Sequence, residues 1–237
     1  MRRSILPVVV TLVLAACRSE VVEPAPTTIG TPTGKDAGGE ADTSTIPSNC
    51  PAPRALGPAN VSAGFLRPVK VTIAGVADGD SGRYNFPNAA NQGVRMLWVN
   101  TEESFGDDMT AFGVETKATV IKWITDAKEI QIAVQETAPG SGIPDSDPYD
   151  RWLSLLFLDG ELLQTRIVRE GLSAYYTAFG CAGAPFHDAL LHSEAEANAN
   201  KRGIWGPGAH NDYRVVLTAW IGTRKCRPNP FIAPYCL

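Results

Sequence analysis

The sequence predicts an α+β fold: a small five-stranded β-barrel accompanied by about three helices. Short apolar runs with alternating character, bounded by Gly, Pro, Asn and Asp, mark the strands. Helical periodicity interrupts the strands once and takes over after the last of them, giving the order strands, helix, strands, helix, helix. Short strands in this order close most simply as a Greek-key barrel of the OB type.

The elements follow in order. Val69-Lys-Val-Thr-Ile-Ala-Gly-Val alternates and predicts a first strand, and Val94-Arg-Met-Leu-Trp-Val a second. Val114, Ala118, Ile121 and Ile124 recur at helical spacing, with Gly113 at the start. Ile130-Gln-Ile-Ala-Val is a third strand. Pro139, Gly140, Gly142, Pro144 and Pro148 make 138–149 a loop. Trp152 to Leu158, an Asp159-Gly160 turn and Leu162-Leu163 read as a hairpin. Gln164–Glu170 predicts a short helix ended by Gly171. Leu191, Ala195 and Ala199 mark a last helix that stops at Gly203.

Before this domain the chain reads as an address and a tether. Arg2 and Arg3 precede a short apolar stretch from Ile5 to Ala16, the layout of a secretory signal. The stretch ends Leu14-Ala15-Ala16-Cys17, which resembles the lipobox of bacterial lipoproteins and makes Cys17 the expected lipidation site. Arg18, by resemblance to the sorting pattern of Gram-negative lipoproteins, points to the outer membrane. The expected boundaries are a signal at 1–16, a disordered Pro/Thr/Gly-rich tether at 17–66, a domain at 67–206 and a C-terminal extension at 207–237. Cys50, Cys181, Cys226 and Cys236 remain in the exported chain, an even number that predicts two disulfides. Of the three possible pairings, Cys226–Cys236 and Cys50–Cys181 is the one expected. A zinc site is the rival, but there is no C-x-x-C, and His187, His192 and His210 stand at no ligand spacing. The histidines are expected at the surface.

The 237 residues carry 21 Lys+Arg against 25 Asp+Glu, a net charge of −4 that excludes a generally basic nucleic-acid coat protein. The imbalance is larger within 67–206, which hold 12 basic and 19 acidic residues. The tail is basic, with Arg214, Arg224, Lys225 and Arg227 against Asp212. An anionic substrate must therefore bind through a few placed cations, a metal or that tail.

Three segments carry chemistry: Asp78-Gly79-Asp80-Ser81 after a strand, Arg95 followed by Asn100-Thr101-Glu102-Glu103, and Tyr149-Asp150-Arg151 at the mouth of a hairpin. In this order they resemble the thermonuclease (staphylococcal-nuclease-like) family. Phe112-Gly113-Val114-Glu115, Asp159-Gly160, Val168-Arg169-Glu170-Gly171-Leu172, Ser193-Glu194-Ala195-Glu196-Ala197 and Gly203-Ile204-Trp205 resemble its other landmarks, over roughly 68–206.

The resemblance implies an OB barrel that hydrolyses phosphodiester bonds of DNA and RNA with calcium to give 3′-phosphate ends. Carried over, Asp80, Asn100 and the Thr101 carbonyl would ligate calcium. Glu103 would position or deprotonate the attacking water, and Arg95 and Arg151 would grip the phosphate. The chemistry fits these residue types: a carboxylate base for the water, oxygen donors for a hard cation, and guanidinium forks matched to phosphate. Tyr149 is a candidate for base stacking; Trp152, Tyr175 and Tyr176 are either further stacking faces or core. No protein partner is implied, and a monomer is expected.

The chain also departs from the family pattern. Asn100 stands where Asp is usual, which removes a charge from the calcium site. Glu102 stands where Pro or Ala is usual, and either restores that charge or is solvated. Asp150 stands where Gly is common and sets a carboxylate beside Arg151. Asp145 and Asp147 add to the acidity of the same mouth. These features motivate the rival reading of a catalytically weakened or inactive OB-fold module that binds nucleic acid or a protein partner. A purely structural lipoprotein is the third possibility.

Overall fold

A computed structural model of the chain describes residues 55–178 and 180–206. The chain divides into units Met1–Glu40 and Ala41–Leu237, and the described residues all belong to the second. The signal, Cys17, Cys50, most of the tether, His210 and the basic tail with Cys226 and Cys236 lie outside them. Cys181 is disulfide-bonded.

The strands are β1 (Val69–Lys70), β2 (Thr72–Asp78), β3 (Ser81–Phe86), β4 (Ala89–Met96), β5 (Ile130–Val134), β6 (Trp152–Leu158) and β7 (Glu161–Leu162). The helices are α1 (Ala111–Asp126), α2 (Leu163–Arg169) and α3 (Phe186–Ala199). All strands join one sheet in the order β1-β5-β6-β4-β3-β2, with β7 on β6. Pairing is antiparallel except between β4 and β6. This curled mixed sheet with three helices is the OB-type α+β architecture.

Two findings revise the strand assignment. The first expected strand is split at Val71 into β1, which pairs with β5, and β2, which pairs with β3. β3 itself was not anticipated, because Ser81-Gly-Arg-Tyr-Asn-Phe carries no clean alternation. It is specified by its neighbours: Tyr84 alone supplies a large buried ring, and register shifts within β2 bend that strand to follow it. The expected second strand likewise begins earlier, at Ala89, and ends at Met96 because Trp98 adopts a left-handed backbone (φ 63°).

β6 is the centre of the sheet. It is flanked by β5 and β4, and Ser154 to Leu158 are all buried, which explains its nearly continuous apolar run. The core gathers Val94, Ile132, Leu155, Phe157, Val120, Ile124, Ile167 and Leu190 from sheet and helices. Leu56, inside the span assigned to the tether, is buried in this core, and the Leu162 amide donates to its carbonyl; Leu66 donates to Val134. The packed chain thus begins before residue 66.

Trp98 lies between Phe65 (centroids 6.2 Å) and Phe186 (6.0 Å), joining the N-terminal segment, the end of β4 and α3. Tyr175 is core, and its hydroxyl accepts from the Ala182 amide and pairs with His187 Nδ1 at 3.0 Å. Trp152 packs on Phe86.

His192 corrects the expectation of surface histidines. It sits on α3 at 8 % exposure, and burial holds its pKa below the usual value; Arg169 acts in the same direction and Glu196 opposes. A depressed folded-state pKa means that the unfolded chain takes up the proton first. Stability should therefore fall as pH drops below the ordinary histidine value of 6.5. Thermal unfolding between pH 7.5 and 5 should show a smaller loss for His192→Gln than for the unchanged chain; equal losses would contradict this.

Candidate functional site

The site is built where β2 turns into β3, beside the end of β4. Asp78 closes the turn: its Oδ1 accepts from the Ser81 hydroxyl (2.7 Å) and the Asp80 amide (3.2 Å). Ser81 is in register with Arg95 of β4, so the sheet delivers the Arg95 side chain to this turn. There Arg95 Nη1 meets Asp80 Oδ1 at 2.5 Å, and Nη2 donates to Asn100 Oδ1 at 2.7 Å. The other Asp80 oxygen accepts the Thr101 amide at 2.7 Å.

Asp80 is 4 % exposed, and burial pushes its pKa up to about 7; Arg95 pulls it down, while Asp78 pushes it further up. The carboxylate is thus only partly compensated. Thr101 Oγ1 beside it is buried with no hydrogen-bond partner among the described residues. The donors gathered here are carboxylate, amide, hydroxyl and backbone oxygen, which suits a hard divalent cation. Among the described residues no group of three or more His, Cys, Asp or Glu could hold a metal, so such a cation would depend on Asn100 and Thr101 as well as Asp80.

Sequence reasoning missed what fixes the 100–103 corner. The Asn100 amide donates to Ser173 Oγ (2.8 Å), and the Ser173 hydroxyl approaches the Asn100 carbonyl at 3.0 Å. Only the fold brings Ser173 there, 73 residues on. Glu102 is not a solvated residue. It is buried, and its Oε2 accepts from Thr110 Oγ1 at 2.5 Å. Thr110 caps α1, accepting from the Gly113 amide, and its own amide donates to the Glu103 carbonyl. Glu103 is open to solvent. Its pKa is raised, first by partial desolvation and then by Asp78 and Asp108; Arg95 and Arg151 oppose this. Arg95 and Arg151 thus both act on Glu103.

Arg151 is held from the other side. Asp147 Oδ2 receives its Nε (2.7 Å) and Nη2 (2.6 Å), while Oδ1 receives the backbone amides of Tyr149 and Arg151. These contacts hold the Asp147 pKa below its usual value against the opposing effect of partial burial. Asp147, rather than the neighbouring Asp150, is the carboxylate that pairs with Arg151. Asp150 occupies a left-handed position (φ 59°), which explains why Gly suits that place, and its carbonyl accepts from Gln92. At Gly93 a Cβ would lie 3.2 Å from Arg151 Cγ, so the missing side chain leaves room for the arginine stem. Tyr149 is 80 % exposed, with the Arg151 guanidinium 5.4 Å from its ring centre.

Gly113 offers a test of the corner. A Cβ there would stand 2.0 Å from the Glu103 carbonyl oxygen and 2.8 Å from that of Glu102. Helix propensity alone favours Gly113→Ala by up to ~1 kcal/mol. The contact predicts the opposite, a loss of about 1–3 kcal/mol read by thermal unfolding. An equally or more stable variant would show that the helix start does not press on the Glu103 backbone.

Comparison with known families places this geometry. Residues 93–207 match the family described as staphylococcal nuclease homologue. The matched span holds Arg95, Asn100, Thr101, Glu103, Tyr149 and Arg151, and the sheet adds Asp80 from the preceding turn. Over residues 93–207 the chain is therefore similar to the staphylococcal nuclease family, and this span forms a thermonuclease-like domain.

Proposed function

We propose that this protein is a calcium-dependent nuclease that hydrolyses phosphodiester bonds of DNA and RNA to 3′-phosphate products, held at the bacterial cell envelope by lipid on Cys17. The observation that carries the reading is the Arg95 guanidinium bound to Asp80 and Asn100, with Glu103 acted on by both Arg95 and Arg151. The lipobox-like Leu14-Ala15-Ala16-Cys17 and Arg18 support an outer-membrane location.

The residues divide the work. Asp80, Asn100 and the Thr101 carbonyl would hold calcium, which supplies positive charge against the phosphate. Arg151, fixed through its Nε edge by Asp147, keeps Nη1 for a phosphate oxygen. Glu103 accepts a proton from the attacking water, and the upward shift of its pKa makes it a stronger base than an ordinary carboxylate. The water oxygen bonds to phosphorus as the bond to the 5′ oxygen breaks, and the leaving 5′ oxygen takes a proton from solvent to become a hydroxyl. Positive charge aimed at the phosphoryl oxygens lowers the barrier. Tyr149 offers an open ring to a neighbouring base.

Glu103→Gln should lower kcat by roughly 10²–10⁴-fold with an unchanged melting temperature. Full activity in that variant would remove Glu103 as the base. Arg151→Lys should cost about 10²-fold or more in kcat/KM, because an ammonium cannot keep both the Asp147 contact and the phosphate. Asp147→Ala should lower kcat/KM in the same assay by releasing Arg151. A rise would show that Asp147 competes with phosphate instead of aiming its partner.

A further inference from the structure

The Arg95 guanidinium is held by oxygens of the residues that would hold a cation. Nη1 reaches Asp80 Oδ1 (2.5 Å) and the Asp80 carbonyl (3.4 Å), and Nη2 reaches Asn100 Oδ1 (2.7 Å). These partners belong to two of the residues that would ligate calcium. The remaining Asp80 oxygen is taken by the Thr101 amide. Calcium takes six to eight oxygen ligands, so the Asp80 and Asn100 oxygens that hold the guanidinium are ones it would draw on. Two positive charges in a pocket with little water repel strongly.

We propose that Arg95 is a latch: it is the resident cation of the corner, and calcium binds by displacing it from Asp80 and Asn100, which frees the guanidinium for phosphate. This rests on the calcium reading above. It makes binding ordered, with the Arg95 grip on substrate available only after the metal has entered.

Arg151 provides the contrast. Its counter-ion, Asp147, lies outside the cation corner and is pinned by two backbone amides, so nothing competes for it. Arg151 is aimed permanently and Arg95 conditionally. Asn100 tunes the latch, because a neutral amide holds the guanidinium less firmly than a carboxylate would. The residue that weakens the calcium site thus also weakens its competitor.

Calcium titration calorimetry on the full chain tests this, comparing the unchanged protein with Arg95→Met and Arg95→Lys. Removing the competing charge should tighten calcium binding about tenfold in Arg95→Met. Arg95→Lys, which keeps the charge, should stay near the unchanged value. Equal or weaker binding in a folded Arg95→Met overturns the latch and leaves the calcium reading intact. Absence of calcium binding in every form overturns both.

Should Arg95→Met fail to fold, guanidinium ¹⁵N–H resonances of the unchanged protein give an independent readout. The Arg95 signals should be protected from exchange without calcium and lose that protection when calcium is added, while those of Arg151 do not change. Arg95 protection that persists at calcium saturation overturns the proposal.

Discussion

The buried carboxylate of Asp80 is the interaction on which the rest of the site depends. One oxygen binds Arg95 from β4 and the other binds the Thr101 amide, so a single side chain ties the β2–β3 turn to the strand and to the corner beyond it. Burying a charge is costly unless it is paired and hydrogen-bonded. Here the pairing is partial, and the pKa of about 7 is its signature. The turn, the strand register and the Thr101 amide hold that carboxylate in place, and this leaves it suited to receive further positive charge.

The two arginines show how an acidic domain can serve an anionic substrate. With 12 basic and 19 acidic residues between 67 and 206, long-range attraction to phosphate is weak. Binding must come from local geometry. Asp147 does not simply add to the repulsion: it spends its charge on aiming Arg151 and on closing the 147–151 turn. Glu102 likewise is not a solvated extra charge but a buried link to the cap of α1, which holds the backbone from which Glu103 projects. Two acidic residues that looked like liabilities in the sequence are parts of the scaffold.

Much of the fold was legible because β5, β6 and α1 announce themselves through apolar periodicity, and the Asp159-Gly160 turn through its residue types. β3 was not, because its strand character comes from being clamped between β2 and β4 and not from its own side chains. At the site, Asp80, Arg95, Glu103 and Arg151 could be picked out because the short segments that hold them resemble those of the thermonuclease family. Ser173 and the Glu102–Thr110 bond could not, since their partners are set by tertiary packing. His192 escaped for the same reason: a polar residue on a helix looks exposed until tertiary packing buries it.

The central claim is that these parts make a working, metal-dependent phosphodiesterase. The most direct measurement is release of acid-soluble fragments from single-stranded DNA by the full chain, with calcium and with chelator, followed by identification of the product ends. The account predicts cleavage with calcium, none with chelator, and 3′-phosphate termini. A folded protein that cleaves equally well in chelator, or cleaves under neither condition, would contradict it.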